Sequence, residues 1–165
     1  MLVCTPGGEH YLVDCGRGVL MRLAAAGVPV GQLTAVCITH LHSDHITDLN
    51  DVITSRWALS LAPNPLRVVG PEGTGRVVER TLTMLEDDIG YRLEHHLDLN
   101  EPPSVAVTEV SDGPVDLGID GLAVVGGGQG AQTPVGSWGI AYRSGRVPET
   151  DPGLVMRRVE RRGVQ

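Results

Sequence analysis

The chain is predicted to be an α/β protein, and three observations carry that prediction. Strand-like and helix-like patterns alternate over its first three quarters, the order that builds a sheet covered by helices. Leu33 to Ile38 is an almost continuous apolar run containing Val36 and Ile38, as expected of a strand covered on both faces. With 165 residues, of which 41% are hydrophobic and 20% charged, the chain can bury the core of one compact domain, and a disordered tail protein is excluded.

Taken in order, Tyr11-Leu12-Val13 reads as a short strand, and Asp14-Cys15-Gly16-Arg17-Gly18 as a turn whose two glycines tolerate unusual backbone angles. Val19, Leu20, Leu23 and Ala24 then recur at helical spacing, with Gly27 and Pro29 as the stop. The strand Leu33 to Ile38 delivers the chain to His40. Leu49, Val52, Ile53, Trp57 and Leu61 mark one face of a second helix, ended by Ala62-Pro63-Asn64-Pro65. Leu66 to Val69 is another strand. Gly70-Pro71-Glu72-Gly73-Thr74-Gly75 turns into a third helix with Val78, Leu82 and Leu85 as its apolar face. This turn resembles a phosphate loop, but no lysine follows its last glycine to reach the phosphates. From about Ser104 the pattern turns strand-like, with Val105, Val107, Leu122, Val124 and Val125, until Gly126-Gly127-Gly128-Gln129-Gly130 interrupts it.

The net charge is −7, and all 13 basic residues are arginine. That composition argues against a broad phosphate-tracking surface, so nucleic acid would need a local patch. Residues 1–140 hold 17 Asp and Glu against 7 Arg, whereas residues 141–165 hold 6 Arg against 3 acids. Cys4, Cys15 and Cys37 form neither an even set nor a C-x-x-C spacing, so no disulfide framework or thiolate zinc knuckle is indicated. No run approaches the roughly 18 to 20 apolar residues of a membrane span, and Met1 to Gly8 lacks the cationic and apolar regions of a leader. A soluble, cytoplasmic chain with no membrane partner is the expectation.

The strongest chemical signal is Thr39-His40-Leu41-His42-Ser43-Asp44-His45, which puts three imidazoles and a carboxylate within six residues at the end of a buried strand. Imidazole and carboxylate suit a borderline divalent ion such as zinc, and alternating His40 and His42 at a strand end can aim two rings into one space. Asp44 and His45 then serve a second position, and two metals suggest hydrolysis. The alternative for Asp44 is a cap on a helix beginning near Ile46.

H-x-H-x-D-H between an apolar strand and a helix resembles the signature of the metallo-β-lactamase fold superfamily. Ile38 to Ile46 resembles its ribonuclease Z and arylsulfatase-like branch in wording. Tyr11 to Gly18 resembles that branch's strand and acidic turn, and Leu66 to Thr74 its strand and G-P-x-G-T turn. Asp88 to Leu99, with Gly90-Tyr91-Arg92 and His95-His96, is similar to bacterial ribonuclease Z-like proteins. The resemblance implies an αβ/βα sandwich and a dizinc phosphodiesterase that cleaves precursor tRNA at its 3′ end as a homodimer. It further implies that His40 and His42 hold one zinc and Asp44 and His45 the other, with Asp44 also handling the proton of the attacking water. Asp14 would orient a ligand from behind, the alternative being a cap on the helix at Val19.

The sequence departs from that pattern toward its end. Where the family supplies a later histidine, Thr133-Pro134-Val135 is preceded by Gln132, with Ala131 at the neighbouring acid, and Thr150-Asp151-Pro152 only weakly resembles the family's aspartate turn. His95 and His96 are the remaining substitutes. Two zinc ions are expected by resemblance, and one or none given the four groups present. We therefore expect an incomplete sandwich, about one half plus fragments. Residues 1–125 would form the partial domain and residues 126–165 a divergent, poorly ordered Gly- and Arg-rich tail left by a frameshift or truncation, with an uncovered sheet face. Three functions stay open: a ribonuclease Z-like hydrolase, an arylsulfatase-like or other small-ester hydrolase, and a non-catalytic remnant.

Overall fold

The computed structural model describes residues 1–110 and, as strands, residues 113–116, 122–126 and 138–142. Five strands form the first sheet in sequence order: β1 (Leu2–Cys4), β2 (His10–Val13), β3 (Leu33–Cys37), β4 (Leu66–Gly70) and β5 (Val105–Glu109). β1 pairs antiparallel to β2, and the remaining pairs are parallel. Parallel neighbours need crossovers, and helices supply each one. α1 (Val19–Ala25) links β2 to β3, α2 (Ser43–Ile46) and α3 (Leu49–Ala58) link β3 to β4, and α4 (Thr74–Met84) and α5 (Glu86–His95) link β4 to β5. A second, three-stranded antiparallel sheet is made by β6 (Gly113–Asp116), β7 (Leu122–Gly126) and β8 (Trp138–Tyr142). The rest of the expected tail lies outside the described residues. Among the described residues, no helix is long and apolar enough to cross a membrane.

Consecutive parallel strands in sequence order, joined by crossovers of one hand, put their helices on one face of the sheet. The core follows that rule: Val19 and Leu23 of α1, Leu49, Val52 and Ile53 of α3, and Val78 of α4 pack with Leu12, Val36, Leu66 and Val68. The other face departs from expectation. Tyr11, Val13, Ala35, Cys37 and Val69 alternate with the helix-side residues along their strands, and all are buried, so the uncovered face anticipated for these strands is not present. Burial pushes the Cys37 thiol up to about 12.

Two elements differ from the sequence pattern. α3 stops at Ala58, so Leu61 leaves the apolar face and stands fully exposed in the following turn. The core position one turn after Val52 and Ile53 is taken by Arg56, which is 5% exposed. α5 is not anticipated from the sequence: it fully buries none of its residues, and its apolar face is only the half-buried pair Ile89 and Leu93. It is supported instead by Glu86, Asp87 and Asp88 in its first turn and by an Arg92–Asp88 ion pair at 2.9 Å.

Candidate metal centre

The parallel strands β2 and β3 end side by side, with Val13 opposite Cys37, and the histidine segment begins directly beyond. This carboxyl-end edge is where parallel α/β sheets place their ligand sites. Asp14, the first residue past β2, has φ 62°, the only positive value of a non-glycine residue among those described. Short polar side chains bear that conformation best. Its amide donates to the Cys37 carbonyl at 2.9 Å, which locks the turn to β3.

The Asp14 carboxylate is thereby aimed at the histidine segment. Oδ1 accepts the Thr39 amide at 2.8 Å and lies 2.9 Å from the Thr39 hydroxyl, while Oδ2 lies 2.8 Å from His45 Nδ1. Three rings gather above it, His40 and His45 with centroids 3.9 Å apart and His40 and His42 4.6 Å apart in an edge-on contact. Asp44 reaches His45 Nε2 at 3.5 Å from an exposed position. Burial first, then the neighbouring His45 and His42, hold the His40 imidazole below its usual pKa against the opposing pull of Asp14 and Asp44. A neutral imidazole is the form that ligates a cation.

Neither capping alternative matches this geometry. α2 begins at Ser43 with no side-chain cap, and Asp44 lies inside it. The Gly18 amide at the start of α1 donates to Asp48 Oδ2 at 2.5 Å, not to Asp14. Asp48 is the functional neighbour that the sequence did not reveal. It precedes α3, where an aspartate reads as a cap for its own helix, yet its carboxylate serves the helix on the far side of the acidic turn. Its amide donates to the Cys15 carbonyl at 2.8 Å, and the Cys15 amide to the His45 carbonyl at 2.7 Å. Burial, with Asp14 and Asp48 nearby, pushes the Cys15 thiol up to about 12, so it stays protonated beside the cluster.

This lacing demands close approach of two backbones. A Cβ on Gly16 would collide with the Asp44 carbonyl oxygen, which is backbone and cannot swing aside. Gly16→Ala is therefore expected to lower stability by about 1–3 kcal/mol. Urea unfolding measures this, and a loss below about 0.5 kcal/mol would contradict the contact.

The other predicted groups lie elsewhere. His95 and His96 are exposed at the end of α5, with no ring contact or ion pair to the cluster, and Ala131, Gln132 and Asp151 lie outside the described residues. The glycine turn without its lysine is filled from within: Glu109 Oε1 accepts the amides of Gly73 at 3.1 Å and Gly75 at 2.7 Å. A cavity of about 240 Å³, lined by Arg56, Trp57, Asn64, Leu66 and Leu99 among others, shares no residue with the histidine cluster. Among the described residues, no three His, Cys, Asp or Glu side chains stand around a common point as a finished metal cage. The rings pack on one another instead, and His42 and Asp44 are exposed.

Residues 1–137 match the family model described as the metallo-beta-lactamase superfamily. The chain is similar to Ribonuclease Z of Mycolicibacterium paratuberculosis, 55% identical over 111 residues that make up 66% of this chain and 40% of that protein. Ribonuclease Z of Mycobacterium marinum is 52% identical over 120 residues, 72% of this chain and 43% of that protein. The chain thus spans about two fifths of the length of the curated relatives it matches. Among solved structures, human tRNase Z, short form, matches with TM-score 0.59 at 21% identity, covering 84% of this chain and 54% of that one. A diphosphatase from the PhnP family matches with TM-score 0.60 at 16% identity, covering 86% and 47%.

Proposed function

This chain belongs to the metallo-β-lactamase superfamily, and from that premise we propose that it is a zinc-dependent phosphodiester hydrolase of the ribonuclease Z kind, acting at the 3′ end of precursor tRNA. The observation that carries the reading is the gathering of three imidazoles at the end of β3 over a carboxylate that holds His45 by Nδ1 and turns its Nε2 toward Asp44. The chemistry of this donor set fits zinc. His40 and His42 would hold one ion, Asp44 and His45 the other. Bound zinc supplies a water that ionises near neutral pH and a clamp for phosphoryl oxygens. Asp44, exposed and beside His45, takes the proton of the attacking water, and Asp14 orients His45 by accepting its Nδ1 proton. The substrate class rests on the relatives named Ribonuclease Z, and a homodimer is proposed on the same ground.

The test is zinc content and cleavage together. After chelation and reconstitution, elemental analysis of the purified chain is expected to give a zinc-to-protein ratio near two, and the loaded chain to cut a model precursor tRNA. His40→Ala with His42→Ala should remove the ion at the first position. Unchanged zinc content in the double variant would overturn the ligand assignment. Cleavage of an aryl sulfate by the loaded chain, with no cleavage of precursor tRNA, would overturn the substrate assignment.

A further inference from the structure

Thr39 sits at the centre of a proton inventory that closes in only one way. Its Oγ1 lies 2.9 and 3.0 Å from the two Asp14 carboxylate oxygens, 3.0 Å from His40 Nδ1 and 3.4 Å from His45 Nδ1. A hydroxyl has one proton to give and two lone pairs to receive, and an ionised carboxylate only receives. The Thr39 proton therefore goes to Asp14. With that proton spent, the hydroxyl can face His40 Nδ1 only as an acceptor, which makes Nδ1 the protonated nitrogen of His40. His45 Nδ1, 2.8 Å from Asp14 Oδ2, must likewise be the donor in its own contact. A neutral His45 has one N–H, which goes to Asp14 at 2.8 Å and not to Asp44, 3.5 Å from Nε2, so both neutral rings carry no proton on Nε2, although the Asp14 carboxylate touches only one of them.

We propose that Thr39 is a positioning residue that relays the Asp14 charge to His40, fixing that ring as the Nδ1–H tautomer with Nε2 presented as a ligand atom. One half-buried carboxylate thus sets two imidazoles, His45 directly and His40 through the hydroxyl. The relay deepens the zinc-site reading above and rests on it for its purpose, but not for its detection, since the tautomer exists without metal. The backbone amide of Thr39, which also donates to Asp14 at 2.8 Å, holds the relay in register.

The experiment is two-bond ¹⁵N–¹H correlation NMR of the imidazoles in the metal-free chain at a pH where they are neutral, followed by zinc affinity from chelator competition. In the unsubstituted chain, His40 and His45 should both give the Nδ1–H pattern. An Nε2–H pattern at His40 would overturn the proposal without any variant. Thr39→Val keeps the shape and the amide but removes the hydroxyl. It should move His40 to a mixed or Nε2–H pattern, leave His45 unchanged, and weaken zinc binding about 10- to 100-fold. Thr39→Ser should restore both signals. A Thr39→Val chain with an unaltered His40 pattern would also overturn the relay. A changed tautomer with unchanged zinc affinity would uphold the relay and overturn the assignment of His40 as a ligand.

Discussion

Arg56→Met is expected to lower the stability of the chain by about 3–5 kcal/mol, a large part of the roughly 5–15 kcal/mol typical of a folded domain. Arg56 occupies a core-facing position of α3 and is buried, yet among the described residues it has no carboxylate partner. Its charge is met by carbonyl dipoles alone. Nε donates to the Asn64 carbonyl at 3.0 Å, Nη1 to Leu33 at 2.8 Å, Val30 at 3.1 Å and Gly31 at 3.3 Å, and Nη2 to Asn64 Oδ1 at 2.6 Å and Pro65 at 3.3 Å. These acceptors belong to the turn entering β3 and the turn entering β4. One side chain therefore fixes both strand entries to the helix between them.

Burial lowers the Arg56 pKa from its usual value, but a guanidinium starts too high to neutralise, so the cost of desolvation is carried in full and offset by these bonds. Methionine fills much of the volume and offers no donor. Buried carbonyls left without one cost about 1–3 kcal/mol each. The cavity beside Arg56 and Asn64 admits water to some of them, which keeps the total below the sum. Urea unfolding should show a lower midpoint at an unchanged slope, with Arg56→Lys intermediate because three donors on a point charge cannot span two turns. A loss under about 1 kcal/mol for the methionine variant would refute this account.

The residues explain what the sequence could and could not disclose. β3 was legible because burial on both faces erases alternation, and its apolar run shows that directly. The cluster of His40, His42 and His45 was legible because six residues of chain cannot carry them far apart. Asp14 was harder: its tie to His45 crosses 31 positions and exists only because β2 and β3 end in register, a property of the pairing and not of either segment. Asp48 was hidden because its spacing fits a local cap, and the choice between two helix ends is made in three dimensions. Arg56 was hidden because a charge in an apolar stripe is read as the stripe's edge, whereas here the carbonyl ends of two turns converge to receive it. α5 was missed because its apolar face is short, Ile89 and Leu93 only, and neither is fully buried.

Asp14→Asn is expected to leave the fold nearly intact and to disable the site. Asparagine has the same shape and tolerates the φ of 62° that this position imposes, so stability should stay within about 1 kcal/mol. The hydrogen-bond inventory, however, changes sign at one atom. The amide oxygen can still accept the Thr39 amide and hydroxyl, while the nitrogen takes the place of Oδ2, 2.8 Å from His45 Nδ1. A donor there forces His45 Nδ1 to accept and moves the ring proton to Nε2, the edge proposed to face zinc. A protonated Nε2 cannot ligate. Zinc affinity should fall about 10- to 100-fold, and hydrolysis by up to about 10⁴-fold, the scale known for a histidine held in the wrong tautomer by an Asp-to-Asn change. Asp14→Gly separates the two causes: it relieves the backbone and removes the carboxylate without imposing a donor, so its zinc affinity should lie between those of the native and the Asp14→Asn chains. Because the amide oxygen in the Asp14→Asn chain still takes the Thr39 proton, His40 keeps its Nδ1–H pattern there and only the His45 imidazole signals should move, the complement of the change expected on losing the hydroxyl. Native zinc affinity in the Asp14→Asn chain, with the urea midpoint unchanged, would mean that Asp14 shapes the turn and does not set the ligand.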